Sequence, residues 1–139
     1  MIVVSDSTPL ITLMKAAQLD VLRKLFGEII IPDAVYQELT TNPNFSDEAE
    51  QITNSTFIRV VSVMDKRTVS VLQRVTGLDL GESEAIIYAD ENHADLILMD
   101  EVSGRRVATD MGLKIMGSIG VLIAAYREGY LNEEEAVES

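Results

Sequence analysis

The sequence contains no cysteine and no tryptophan, and His93 is its only histidine. The lack of cysteine excludes disulfide frameworks, thiol nucleophiles and cysteine-based zinc sites. A Ser-His-Asp triad would have to use His93, and a metal site built from several histidines is impossible. A metal site in this chain would therefore draw mainly on carboxylates.

Long apolar runs are also missing. The longest run falls far short of the roughly 18 residues that a membrane-spanning helix needs. No basic segment precedes an apolar stretch, as it would in a signal peptide. We therefore expect a soluble, cytoplasmic protein that has no membrane partner.

Positive charge is scarce. The chain has 11 Lys and Arg residues against 23 Asp and Glu residues, a formal net charge of −12. This balance argues against a basic patch that binds nucleic acid through phosphates alone, but it permits carboxylates gathered around a divalent cation. The length of 139 residues predicts a single domain, at 1–131, followed by an acidic tail at 132–139 with the sequence NEEEAVES.

Short apolar runs alternate with helical patterns along the chain. Predicted strands lie at 2–4, 28–31, 57–63, 96–99 and 114–116. Predicted helices lie at 8–17, 19–26, 32–39, 46–53, 66–75, 82–92, 102–111 and 118–128, with a loop at 40–45. The alternation predicts an α/β fold, a three-layer α/β/α sandwich around a central parallel sheet of about five strands.

Two aspartates follow predicted strands directly. Asp6 comes just after the strand at 2–4, and Asp100 comes just after the strand at 96–99. In an open parallel sheet, ligands collect in the crevice beyond the carboxyl ends of the strands. If these two strands are neighbours, both carboxylates project into one crevice.

Three glutamates from other elements are candidates for the same crevice. Glu38 lies well inside its predicted helix, while Glu82 and Glu84 lie in the first turn of another. Carboxylates gathered together repel and raise one another's pKa, and a hard divalent cation such as Mg²⁺ or Mn²⁺ removes that penalty. A water activated by such a metal is a suitable nucleophile for phosphodiester cleavage.

Each of these carboxylates also has a simpler interpretation. Asp6 and Asp100 precede predicted helices, and Asp is a favoured N-cap residue. Glu38 is equally compatible with a solvated helix surface, and Glu82 fits a capping box with Asp79 as the cap. Spacing alone leaves these alternatives open.

The two glutamates of the predicted helix at 82–92 are not equivalent as metal ligands. Glu82 and Glu84 are two residues apart, about 200° around a helix, so they do not face one metal equally well. Glu84 directly precedes the apolar residues 85–87 and is the preferred ligand, with Glu82 as the second choice. Arg105 is a candidate for binding phosphate, or for a surface ion pair with Asp110.

Five motifs in order along the chain resemble those of a PIN domain, and more narrowly of its VapC-like prokaryotic subgroup of unknown function. The resemblance runs from residue 2 to about residue 131. The motifs are DSTPLI at 6–11, IPDAVYQEL at 31–39, LGESEAI at 80–86, DE at 100–101 together with Arg105, and GSIG at 117–120.

The resemblance implies a five-stranded parallel sheet with helices on both sides and a ribonuclease site that depends on Mg²⁺ or Mn²⁺. The acids that match the catalytic positions are Asp6, Glu38, Glu84 and Asp100. The implied metal ligands are Asp6, Glu84 and Asp100, with Glu82 as the alternative to Glu84. The residues implied to position substrate or water are Ser7, Ser118 and Arg105.

Two functions from different classes follow. The first is a metal-dependent endoribonuclease acting on RNA, the toxin of a toxin–antitoxin pair, which the resemblance further implies to bind a small antitoxin protein and to form a homodimer. The second is a PIN-like protein-interaction module with little or no catalysis, which the acidic charge would suit to a basic partner. A receiver-type phosphoacceptor built on Asp6 or Asp100 is disfavoured because no downstream Lys is paired with either in the expected context.

Overall fold

A computed structural model describes residues 1–131, so the predicted acidic tail at 132–139 lies outside the described residues. The strands within this range are β1 (Val3–Ser5), β2 (Ile29–Pro32), β3 (Ile58–Val61), β4 (Leu96–Leu98) and β5 (Ile115–Met116). The helices are α1 (Ser7–Lys15), α2 (Val21–Phe26), α3 (Asp33–Thr41), α4 (Ser46–Asn54), α5 (Lys66–Thr76), α6 (Leu80–Glu91), α7 (Val102–Asp110) and α8 (Ser118–Arg127), with a short 3₁₀ helix at Pro43–Phe45.

All the strands of residues 1–131 belong to one sheet, in the order β3-β2-β1-β4-β5. Every neighbouring pair is parallel, and Val4 at the centre lies opposite Ile30 on one side and Ile97 on the other. Parallel neighbours need long crossover connections, which the helices between the strands provide. The predicted α/β fold with a five-stranded parallel sheet is confirmed.

Helices cover both faces of the sheet because successive strand residues point to opposite faces. On one face, α1, α2, α3, α4 and α8 pack against alternate strand residues: Val3, Ile29, Ile31 and Leu98. On the other face, α5, α6 and α7 pack against the residues between them: Val4, Ile30, Ile97 and Met99. Burial on both sides explains why these strands are continuous apolar runs in the sequence.

Two element boundaries differ from the sequence prediction for identifiable reasons. Pro32 ends β2 instead of opening the next helix, which begins at Asp33. Helix α6 begins at Leu80, two residues earlier than predicted, because Asp79 caps it: the Asp79 Oδ1 atom accepts a hydrogen bond from the Glu82 N–H at 2.8 Å. No helix within residues 1–131 combines the length with the apolar composition that crossing a bilayer requires.

The central strands are expected to dominate stability. Ile97→Ala removes a side chain that is 1% exposed, and should lower the free energy of unfolding by about 2–5 kcal/mol through lost burial and a residual cavity. Ile119→Ala, at a position that is 73% exposed, should change it by about 0.5 kcal/mol or less. Urea denaturation of both variants measures the difference, and equal effects would contradict the assigned core.

Candidate active site

The strand order reverses between β1 and β4. The chain runs outward through β2 and β3 on one side of β1, and then returns to the other side through β4 and β5. Open α/β sheets bind ligands at such a switch point, beyond the carboxyl ends of the strands. The Asp6 N–H donates to the Leu98 carbonyl at 3.0 Å, so the chain leaving β1 stays attached to β4. Asp6 and Asp100 therefore follow neighbouring inner strands, and both lie at the carboxyl ends of the strands.

Asp6 is almost fully buried, with 3% of its surface exposed. It occupies the N-cap position of α1, but its side chain makes no capping hydrogen bond there. Burial raises the pKa of the Asp6 carboxyl from an ordinary 3.8 to about 7, against the opposing effect of a hydrogen bond from the Ser7 backbone. Three neighbouring acids also raise this pKa: Glu82, Asp79 and Glu38. Helix capping therefore does not account for Asp6, which lies buried among like charges.

Glu38 reaches the same region from α3. Its Oε2 atom accepts a hydrogen bond from the hydroxyl of the buried Ser7 at 2.8 Å. The same oxygen lies 3.4 Å from the point that a Cβ would occupy at Gly81, and the Asp79 Oδ1 atom lies 3.6 Å from that point. Glu38 therefore lies within van der Waals reach of the first turn of α6. Glu38 remains exposed and forms part of the rim of the crevice.

Glu82 contributes one oxygen to a capping box and leaves the other without a partner. Its Oε1 atom accepts a long hydrogen bond from the Asp79 N–H at 3.4 Å, which completes the capping box at the start of α6. Its Oε2 atom is buried and has no hydrogen-bond partner. That oxygen lies 2.8 Å from the point that a Cβ would occupy at Gly104, so only glycine allows α7 to pack this closely. The predicted capping role is present, and it uses half of the carboxylate.

Glu82, like Asp6, has a pKa raised by burial and by neighbouring negative charges. Burial raises the pKa of Glu82 from an ordinary 4.5 to about 7, and the negative charges of Asp79 and Glu101 add to the rise. The sequence assigned Asp79 only a capping role, yet its charge acts on both buried acids. The spacing of three residues between Asp79 and Glu82 is the feature of the sequence that could have predicted this proximity. These acids form one connected cluster, which we call the carboxylate cluster: Asp6, Glu38, Asp79 and Glu82.

Asp100 lies on the β4–β5 side of the crevice and holds the start of α8. Its Oδ1 atom accepts a hydrogen bond from the Ser118 N–H at 2.7 Å, and its Oδ2 atom accepts one from the Ser118 hydroxyl at 3.0 Å. The sequence offered Asp100 as a cap for the helix that begins at Val102. The structure shows it bound to the N-terminus of α8 instead, through the hydroxyl residue that the family resemblance had selected.

Arg105 faces the same side of the crevice from α7. Its Nη1 atom donates to the Met99 carbonyl at 3.3 Å. Both Arg105 Nη1 and Asp100 Oδ1 lie within 2.8 Å of the point that a Cβ would occupy at Gly117. These residues line an open pocket of about 560 Å³ that continues along the first turn of α8. The predicted pairing of Arg105 with Asp110 is not the arrangement found, and its guanidinium lies where it can meet a bound anion.

Glu84, the preferred ligand of α6 in the sequence analysis, lies apart from the carboxylate cluster. Its Oε1 atom accepts a hydrogen bond from the Ala34 N–H at 2.9 Å, in the first turn of α3. The rotation of about 200° between Glu82 and Glu84 sends one carboxylate toward α7 and the other toward α3. Glu84 therefore satisfies a backbone donor of α3, whereas Glu82, the second choice in the sequence analysis, lies near enough to Asp6 to raise its pKa.

Within residues 1–131, no three Asp, Glu or His side chains are placed so that together they would hold a metal ion. Three predicted site acids instead accept hydrogen bonds from separate donors: Glu38 from Ser7, Glu84 from Ala34, and Asp100 from Ser118. The cluster nevertheless fits a hard cation, because Asp6 and Glu82 are buried acids with raised pKa values and Glu82 Oε2 has no partner. Mg²⁺ or Mn²⁺ would satisfy that oxygen and offset the mutual repulsion.

Comparison with known proteins gives one family match. A family model described as a PIN domain matches residues 2–138. The match includes every acid of the crevice, from Asp6 to Asp100, and all five motifs that carried the resemblance. No curated protein matches the chain.

The buried acids predict a pH-dependent stability. Between the ordinary pKa values of 3.8 and 4.5 and the raised values of about 7, the folded chain binds more protons than the unfolded chain. Stability therefore falls as the pH rises through this window, and the loss is complete above it. Asp6→Asn should increase the free energy of unfolding at about pH 8 in EDTA, and the increase should shrink as the pH falls and vanish below about pH 3.8.

Urea denaturation across this pH range measures the effect. Asp110→Asn is the matched control, because it makes the same substitution at an exposed aspartate of α7. An Asp6→Asn variant with the same pH profile as the control would contradict the assigned burial of the Asp6 charge.

Proposed function

The chain belongs to the PIN domain family, whose fold is of the nuclease type, and from this premise we propose that it is a metal-dependent endoribonuclease. The observation that carries the proposal is the pair of buried acids Asp6 and Glu82 at the β1–β4 switch point, one of which has a buried oxygen without a partner. Isolated buried carboxylates are costly unless a cation or a proton neutralises them. A nuclease needs the same cation for its chemistry.

Asp6 and Glu82 are the residues that would hold the metal. Glu38 and Asp100 flank them from the α3 and β4 sides. Each carboxylate keeps lone pairs that its hydroxyl partner does not use, so each could join the coordination without losing that hydrogen bond. When bound, Mg²⁺ or Mn²⁺ supplies Lewis-acid activation of water and neutralises charge on the scissile phosphate. Donors that are all oxygen suit these ions better than zinc or copper.

The surrounding residues orient the acids and the substrate. Ser7 holds Glu38 at the rim, and Ser118 holds Asp100 with both its backbone N–H and its hydroxyl. Arg105 lies in the pocket beside Asp100, where its guanidinium would bind a phosphate of the strand being cleaved. Such contacts place the phosphodiester bond over the buried acids, which a cleavage reaction requires before any bond is broken.

A cation also resolves the proton balance of the site. With pKa values near 7, Asp6 and Glu82 are each only partly ionised at neutral pH. Binding of a divalent cation favours the ionised form and releases the remaining protons. Metal affinity should therefore increase with pH through the neutral range.

The biological setting is proposed from the family resemblance. We infer a toxin of a toxin–antitoxin pair that acts on RNA in the cytoplasm, binds a small antitoxin protein and forms a homodimer. The rival function is a PIN-like module that binds a basic protein partner through the acidic surface of this chain, whose net charge is −12. The two functions differ in whether the carboxylate cluster must bind a metal.

RNA cleavage tests the proposal directly. The wild-type chain should cleave single-stranded RNA in Mg²⁺ or Mn²⁺, and EDTA should abolish the cleavage. Asp6→Asn should lower the rate by roughly 100-fold or more, because an amide cannot provide the negative oxygen ligand. Asp110→Asn should keep the wild-type rate, since its side chain lies on the exposed surface of α7. Cleavage that survives Asp6→Asn would remove the nuclease assignment.

Metal binding can be measured without cleavage. Added Mn²⁺ should raise the Tm of the wild-type chain above its value in EDTA, because a ligand of the folded state stabilises by about 2.7 kcal/mol at 100 times its Kd. Glu82→Gln should reduce this shift, whereas Glu84→Gln should lower the Tm in EDTA and retain the shift. The Glu84 carboxylate stabilises α3 through the Ala34 N–H, whereas Glu82 has a buried oxygen without a partner.

The outcome also separates the rival functions. No Mn²⁺ shift in the wild-type chain, together with binding of a basic protein, would favour the interaction module. If the Mn²⁺-induced rise in Tm is lost in Glu84→Gln and retained in Glu82→Gln, Glu84 is the metal ligand and Glu82 is not.

A further inference from the structure

The positive charges of this acidic chain are unevenly distributed. Two arginines are neutralised locally: Arg23 pairs with Asp20 at 2.8 Å, and Arg59 pairs with Glu28 at 3.1 Å. Helix α5, with the sequence KRTVSVLQRVT, contains three cations and no acid. Within the described part of the chain, none of these three forms an ion pair. This helix therefore presents a group of positive charges in a chain whose net charge is −12, and of the three cations Arg67 also acts electrostatically on Asp65, the N-cap residue.

The three cations share the outer face of α5. Residues at intervals of three and four lie on one side of a helix, and this side lines a shallow groove formed by Lys66, Arg67, Ser70, Val71 and Arg74. All five are exposed. We call this surface the α5 basic face.

The inner side of α5 packs against the body of the protein. Val69 is buried there in a small apolar cluster with Val63 and Ile87. Because this side fixes the rotation of the helix about its own axis, the cations on the opposite side are held facing solvent. The α5 basic face is thus a consequence of core packing.

The α5 basic face leads toward the carboxylate cluster. The N–H groups of Met64 and Asp65, just before α5, donate to the Glu91 carboxylate at the end of α6, at 3.3 and 2.9 Å. The two helices are therefore antiparallel, and the end of α5 lies at the start of α6. Only residues 77–78 separate α5 from Asp79. Arg74 is at the end near the cluster, and Lys66 is about 12 Å farther along the helix axis.

We propose that the α5 basic face binds the phosphate backbone of single-stranded RNA and directs the strand into the crevice at β1 and β4. This inference rests on the proposed nuclease function and names the surface that brings the substrate to it. Lys and Arg side chains in a row neutralise successive phosphates, and the Ser70 hydroxyl adds a neutral donor to phosphate oxygen. The carboxylate cluster itself repels RNA, so a chain of this charge needs a separate positive surface for binding.

An acidic protein is the other partner that such charges would attract. Exposed aliphatic side chains also occur here: Val71 lies within the face and Val75 lies beside it. The position of the face favours RNA, because the row of cations runs toward the acids that would cleave the strand. Binding of a protein would not depend on whether the cations run toward the acids. A protein bound there would also block access to Asp79 and Glu82.

A binding assay in EDTA tests the proposal without cleavage. The probe is a fluorescently labelled single-stranded RNA of about 12 nucleotides, and fluorescence anisotropy is measured over a range of salt concentrations with the whole chain. The test variant carries Lys66→Gln, Arg67→Gln and Arg74→Gln. The matched control carries Lys15→Gln, Lys24→Gln and Lys114→Gln, an equal change of charge at exposed positions outside α5.

The test variant should bind RNA at least about 10-fold more weakly than wild type at about 50 mM salt, and the control should bind like wild type. The slope of log affinity against log salt should become shallower by about 2, because each lost phosphate contact contributes roughly 0.7 for a single strand. Ser70→Glu, which adds one negative charge to the face, should also weaken binding. Equal Tm values in EDTA check that each variant is folded.

Several outcomes would overturn the proposal. One is that the test variant and the control lose affinity equally, and another is that RNA binding and its salt slope are unchanged in the test variant. A third is binding of a poly-glutamate peptide, lost in the test variant, by a chain that does not bind RNA, which would identify a protein-docking surface instead.

Failure of the proposed function has a different signature. RNA binding that depends on the α5 basic face, with no cleavage in Mg²⁺ or Mn²⁺, would support the RNA-binding surface and contradict the proposed nuclease function. Metal-dependent cleavage with an unchanged KM in the test variant would support the nuclease function and contradict RNA binding by the α5 basic face.

Discussion

The burial of like-charged carboxylates at one edge of a parallel sheet is the constraint on which the rest of this structure depends. Asp6 and Glu82 are both removed from water, and burial raises the pKa of each carboxyl. The negative charge of Glu82 raises the pKa of Asp6 further. Such a cluster costs folding free energy unless protons or a cation offset its charge. The fold tolerates that cost where a ligand is expected, at the switch point between β1 and β4.

Helix α6 connects this constraint to the rest of the molecule. Its first turn presents Glu82 toward α7 and Glu84 toward α3, so one helix both builds the carboxylate cluster and holds a neighbouring helix in place. Gly104 permits this close packing, because a Cβ there would lie 2.5 Å from the Met99 Sδ atom and 2.8 Å from the Glu82 Oε2 atom. Packing and chemistry therefore share the same few residues.

Charge is divided between two surfaces of the chain. The carboxylate cluster surrounds Asp6 at the carboxyl end of β1, while all the charged residues of α5 are cations, even though the net charge of −12 argues against a basic patch. Net charge is a sum over the whole chain and does not report how charges are grouped. The proposed metal-binding crevice and the proposed phosphate-binding face both need this separation, since mixed charges would neutralise each other locally.

The parallel sheet and the positions of Asp6 and Asp100 could be predicted from sequence, because apolar runs and strand ends are local patterns. The choice between Glu82 and Glu84 could not, because it depends on which side of α6 faces α7, and that is set by contacts between residues distant in the chain. The same holds for Asp100, whose oxygens bind Ser118 rather than the nearer helix that begins at Val102. The sequence by itself determined the elements and the supply of carboxylates; only the tertiary structure decided where each oxygen points, because helix rotation is settled by packing.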